Sequence, residues 1–182
     1  MFYIKFINSF MSNKKVLFRG PALSSSGYGV HARQVARWLL SKDVDLRFQL
    51  TPWGETPWLV NHDAENGLIG KIIKLSGQHE SRPDISFQLQ LPNEWDPKLA
   101  NFNVGMTAGV ETDVCNPKWI DACNQMNLVV VPSTFTKKTL EASGKLTTPV
   151  IVIPESFPDT INSDAKSEFD FSTTFNFLIV SQ

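Results

Sequence analysis

Lys15-Val16-Leu17-Phe18-Arg19-Gly20-Pro21 followed by Ser26-Gly27-Tyr28-Gly29-Val30-His31-Ala32-Arg33 is the stretch on which the fold is decided. The first run is apolar and stops at a Gly-Pro pair, so it reads as a short buried strand. After the glycines the period changes. Ala32, Val35, Ala36, Leu39 and Leu40 fall at i, i+3, i+4, i+7 and i+8, the spacing of one helix face. Arg33, Gln34 and Arg37 are expected on the opposite, solvated face. A strand, a glycine turn and a helix in that order make the opening unit of an α/β sheet.

The rest of the chain repeats the unit. Leu46–Leu50 alternates and predicts a second strand, and weak helical character returns between about Asp63 and Leu75. Asp84–Leu91 alternates strictly, and Phe102–Met106 is a further strand. A helix is expected from Pro117, a residue suited to a first turn. Leu128-Val129-Val130-Val131 is four apolar residues in a row, three of them β-branched, as expected of a strand covered on both faces. Ser133 is placed to cap the next helix and Gly144 to end it. Val150–Ile153 is another strand, stopped by Pro154. The expectation is a Rossmann-like parallel sheet with helices on both faces.

Organisation follows from composition. Residues 1–13 read as an N-terminal extension, with Met11 as an alternative start, and 14–157 as the α/β domain. The Asp-, Ser- and Asn-rich stretch 158–170 reads as a linker, and 171–182 carries an apolar run, 175–180, that predicts a buried strand. The N-terminal apolar stretch is far short of the roughly 20 residues of a membrane span. A net charge of -1, from 17 basic and 18 acidic residues, gives no basic footprint for nucleic acid. Two cysteines, Cys115 and Cys123, are too few for a disulfide scaffold and read as reduced thiols of a cytoplasmic protein.

Three loops are candidates for chemistry, all at the carboxyl ends of predicted strands, where α/β sheets bind ligands. In the first, glycines at 27 and 29 let backbone N–H groups approach a ligand at a helix N-terminus. It lacks the G-x-G-x-x-G spacing and the acidic residue about 20 positions on that dinucleotide binding requires. A dehydrogenase is therefore disfavoured. The second loop is Thr107-Ala108-Gly109-Val110-Glu111-Thr112-Asp113, whose acids are either solvated or aimed at a ligand. The third, Pro132-Ser133-Thr134-Phe135, offers a cap that can also touch a ligand. His31 faces the cleft or packs; His62 and His79 sit in loops without an evident partner, and Asp43-Val44-Asp45 reads as a turn.

Together, Ser26–Gly29 with His31-Ala32-Arg33, Gly109–Asp113, Trp119–Asn124, Val131-Pro132-Ser133-Thr134-Phe135 and Val152-Ile153-Pro154-Glu155 resemble the N-terminal half of a GT-B-type glycosyltransferase of the retaining group 1 (family 4) class. The resemblance covers about residues 14 to 182. It implies an acceptor-side domain that helps move a sugar from a nucleotide-sugar donor to a glycan or lipid-linked acceptor, without metal or other cofactor. It implies a catalytic-loop role for Glu111. Ligand-binding roles fall to Ser26, Gly27, Tyr28, Gly29, His31, Thr107, Gly109, Thr112, Ser133, Thr134 and Glu155. It further implies that residues 171–182 open a C-terminal nucleotide-binding domain, the natural partner of this one, and that the present chain alone transfers no sugar. A cytoplasmic location, free or at a membrane surface, goes with that reading. Two features differ from many relatives: the Glu111 loop holds no histidine, and Pro154-Glu155 is followed by Ser156 rather than glycine. The alternative is a stand-alone Rossmann-like module that binds a carbohydrate or a partner and catalyses nothing.

Overall fold

A computed structural model describes residues 12–156, 172–177 and 179. In chain order the elements are β1 (Lys14–Gly20), α1 (Gly27–Leu40), β2 (Val44–Leu50), α2 (Ala64–Lys74) and β3 (Ile85–Leu89). A short 3-10 turn (Pro92–Glu94), β4 (Phe102–Met106), α3 (Pro117–Cys123), β5 (Leu128–Val131), α4 (Thr134–Ser143) and β6 (Val150–Val152) follow. The six strands form one all-parallel sheet in the order β2-β1-β3-β4-β5-β6, the α/β Rossmann-like arrangement expected. A single rung extends it. Phe48 of β2 donates to the Leu75 carbonyl at 3.0 Å and accepts from Gly77 N at 2.9 Å, on the edge of β2 away from β1. Counting that rung as an outermost strand gives the order of doubly wound dinucleotide-binding sheets.

Strand alternation sorts the core into two layers. Val16 and Phe18, Leu46 and Phe48, Ile85 and Leu89 point to one face and pack against Ala32, Ala36 and Leu39 of α1 and Leu68, Ile69 and Ile72 of α2. Val129, Val131 and Val150 point to the other and meet Ile120 and Cys123 of α3 and Leu140 of α4. Each Val, Leu, Ile or Phe so buried contributes roughly 1.5–3 kcal/mol. Trp95 also belongs to the second layer: it lies flat on Gly105 of β4, where an added Cβ would come within 2.8 Å of the indole. Trp58, in contrast, is exposed, and Trp53 stacks on Tyr28 with ring centroids 3.8 Å apart.

Several expectations need correction. Arg33 is 4% exposed, not solvated. The α1 stripe is set by geometry rather than charge, and Arg33 falls inside it because loop carbonyls and Glu65 await its guanidinium. His79 has partners: its ring is 3.1 Å from the Val16 carbonyl and 3.4 Å from the Asp45 carboxylate, and Asp45 itself lies in β2 rather than in a turn. The weak helix at 63–75 is weak for a reason, since Glu65, Asn66 and Gly67 take left-handed φ values of 52°, 58° and 77°. Its regular turns begin only after Gly67.

The strand expected over 175–180 does not form among the described residues. Phe175, Phe177 and Ile179 are 73%, 87% and 84% exposed, and the Thr173 hydroxyl and Asn176 amide bond locally instead. An apolar run becomes a strand only where a neighbour supplies ladder bonds, and short polar side chains compete for the backbone until one does. Most of residues 1–13, the linker 158–170, and Leu178 and Val180 lie outside the described residues.

Candidate functional site

The chain leaves β1 for β2 on one side and later places β3 on the other, so the strand order reverses between β1 and β3. Loops diverge there and leave a crevice beyond the carboxyl ends of the strands. The glycine turn enters it from β1. Ser26 caps α1, its hydroxyl accepting from Gly29 N at 3.1 Å and bonding the Ser24 hydroxyl at 2.8 Å. Gly29 is required by close approach: a Cβ there would lie 2.0 Å from the Ser24 carbonyl oxygen. Gly27 is the opposite case, exposed and with nothing within 4 Å of the position a Cβ would take. The amides of Gly27 and Tyr28 lie in the first turn, where helix geometry leaves N–H groups without a partner inside the helix.

Arg33 fixes the shape of the turn from below. Its guanidinium donates to the carbonyls of Ala22 (3.2 Å) and Ser24 (2.8 Å) and pairs with Glu65, which also holds Arg37. Tyr28 fixes it from above. The phenol oxygen accepts from Ala108 N at 3.0 Å and shares a hydrogen bond with the Thr107 hydroxyl at 3.2 Å. The loop after β4 is thus tied to the start of α1. Burial raises the Tyr28 pKa, outweighing those two hydrogen bonds, which lower it; the charges of Glu155 and Glu94 add to the rise. Tyr28 therefore stays a neutral phenol.

The network continues to the third loop. Gly109, at φ 83°, rests against Thr136, whose hydroxyl donates to the Ala108 carbonyl at 2.9 Å. Ser133 caps α4 as expected, accepting from Thr136 N at 3.0 Å. Ser26, Gly27, Tyr28, Gly29, Thr107, Gly109 and Ser133 are thereby brought together. Thr112 and Thr134 are exposed farther along the same edge; Thr112 donates only to the Val114 carbonyl, 2.7 Å away. Glu111 is exposed on its loop.

His31 and Glu155 form a second group, 3.2 Å apart, where the chain leaves β6. They rim a groove of about 420 Å³ floored by Phe87, Met106 and Val130 and walled by Trp38 of α1. Burial lowers the His31 pKa, and the Glu155 charge offsets part of that. A depressed histidine pKa means the fold favours neutral imidazole. Its stabilising effect is complete above the unfolded value near 6.5 and is lost as pH falls through it toward the folded pKa. Glu155→Gln removes the raising influence, so the His31 ring should titrate at lower pH in that variant. Following the His31 Cε1 proton by NMR checks this; an unchanged or higher midpoint would refute the pairing.

Sequence reasoning passed over a further set. Arg19, Gln49, Thr51 and Gln90 border the crevice on the face of the sheet away from α1, and each keeps a buried side-chain atom without a hydrogen bond among the described residues. The signal was present in Ser86, Gln88 and Gln90, polar residues at alternate positions of a central strand. Among the described residues no group of three or more His, Cys, Asp or Glu is arranged to hold a metal, and no helix is long and apolar enough to cross a membrane. The chain matches no family profile and no curated protein sequence.

Proposed function

We propose that this chain is the acceptor-side portion of a retaining glycosyltransferase, one that works with a second, nucleotide-binding domain to move a sugar from a nucleotide-sugar donor to a glycan or lipid-linked acceptor. The observation that carries the reading is the tie between Tyr28 and the Thr107-Ala108 backbone. It holds the open glycine turn and the Glu111 loop on one crevice, the two segments on which the resemblance in sequence rests. Helix N-termini at Ser26 and Ser133 face that edge with their positive ends, which suits hydroxyl-rich or phosphorylated ligands. Transfer of this kind gains most from electrostatic stabilisation of the leaving diphosphate. The glycine-turn side of the crevice carries the acids Glu94, Glu111 and Glu155, with Arg19 on the opposite sheet face, so further cations for that task are expected from the partner domain.

The test is amide NMR of the 182-residue chain against a panel of nucleotide sugars and oligosaccharides, together with a transfer assay. Shifts at Gly27, Tyr28 and Ala108 with an oligosaccharide, and no turnover, are expected. Tyr28→Phe leaves Ala108 N unpaired, at a cost of about 1–3 kcal/mol, and should weaken that binding about tenfold or more. Turnover by the chain alone, or a panel that leaves these amides unmoved, would overturn the proposal. A binding module without catalysis is the second reading, favoured by one observation: Glu111 is exposed on a loop, and no hydrogen bond or ion pair holds its carboxylate among the described residues.

A further inference from the structure

Four buried side-chain atoms near the carboxyl ends of β2, β1 and β3 have no hydrogen-bond partner among the described residues: Arg19 Nε, Gln49 Oε1, Thr51 Oγ1 and Gln90 Oε1. They are neighbours on one face. Arg19 stands opposite Gln49 on β2 and opposite Gln88 on β3, and adjacent strands are about 4.8 Å apart. Thr51 and Gln90 lie one same-face step further on, held in register by Thr51 N to the Gly20 carbonyl and Gln90 N to the Met106 carbonyl, both 3.1 Å. Gln88 is already satisfied, bonding Ser86 and the backbone of Asp96, and so walls the set on one side.

Gln90 is 5% exposed, so its free acceptor cannot turn to bulk water. Leaving a buried polar group unpaired costs about 1–3 kcal/mol, and a fold rarely keeps four together. Arg19 also lacks a carboxylate within ion-pairing distance among the described residues. The unmet groups are the Nε–H of one guanidinium, two amide oxygens and one hydroxyl.

We propose that Arg19, Gln49, Thr51 and Gln90 form a binding site for a sugar ring that carries an anionic group. The guanidinium fork takes the anion, which is a carboxylate or a phosphate, since it fits both. Gln49, Gln90 and Thr51 exchange hydrogen bonds with ring hydroxyls. The site lies on the sheet face opposite Phe18 and α1, so it is separate from the glycine turn, and it stands whether or not the protein transfers sugar.

The experiment titrates the 182-residue chain, observed by amide NMR, with glucuronate, glucose 6-phosphate, glucose and inorganic phosphate in turn. One charged sugar is expected to bind at least about tenfold more tightly than glucose and than inorganic phosphate, the effect of one charge-assisted hydrogen bond. The shifts should centre on residues 19, 49, 51 and 90, and the tighter of the two charged sugars identifies the anion. Arg19→Gln should abolish the advantage over glucose. Inorganic phosphate binding as tightly as either sugar, no preference over glucose, or an advantage that survives in Arg19→Gln would each overturn the site. Should Arg19→Gln fail to fold, Gln90→Leu is read in its place: about a tenfold loss of charged-sugar affinity supports the site, and none refutes it.

Discussion

Replacing Gly29 with alanine should cost about 3 kcal/mol or more and lower the melting temperature by about 6–12 °C. Helix propensity alone favours the change by up to about 1 kcal/mol. Space decides against it. The added carbon would sit 2.0 Å from the Ser24 carbonyl oxygen and 2.8 Å from its carbon, and neither is the end of a flexible side chain. The turn would have to lift away from α1, taking the Ser26 cap with it. Gly27→Ala is the internal control, because its site is open and its backbone is not left-handed. That variant should stay within about 0.5 kcal/mol of the parent or gain slightly from a stiffer unfolded chain. Urea denaturation of both variants checks the pair; equal stabilities would show that the turn yields at no cost.

Arg33→Met should cost about 3–5 kcal/mol, although methionine fills much of the same volume. The loss is not the surface pairing of Arg37 with Glu65, which survives the change. It is the pair of buried carbonyls, Ala22 and Ser24, left without their donor. Glu65→Gln should also destabilise, by leaving the buried guanidinium without its counter-ion. The double variant should cost about as much as Arg33→Met alone, well under the sum of the two, because the guanidinium that Glu65→Gln strands is already gone. Additivity within about 0.5 kcal/mol would show that Arg33 and Glu65 act independently.

Local pattern made most of the architecture legible. Phe102–Met106 and Leu128–Val131 are apolar runs bounded by polar turns, and the strands occupy those residues. Ser133 was readable as a cap because capping chemistry acts over three residues. Contacts between distant segments were not readable in that way. The Tyr28–Thr107 bond joins residues 79 apart, and nothing near either residue announces it. Arg33 misled because a helical wheel ranks a cation as solvent-facing, while the buried carbonyls that recruit it belong to a loop. The apolar run after residue 174 forms no strand among the described residues for the converse reason: a strand is a property of a pair, and one sequence window holds only half of it. At the candidate site, the turn itself was visible in its glycines. The polar set around Arg19 emerged only once strand register laid β2, β1 and β3 side by side.

The clamp beneath the turn has a consequence for how this protein can change over generations. The left-handed residues 65–67, where the helix would otherwise start cleanly, present Glu65 to a guanidinium on another helix, which in turn holds the loop that borders the crevice. Changes at positions 33 and 65 are therefore energetically coupled. Loss of Glu65 alone strands a buried charge, and loss of Arg33 strands a pair of carbonyls whatever stands at 65. Drift at the crevice rim is open at Gly27, while the helix start that looks most irregular is among the places least free to be tidied.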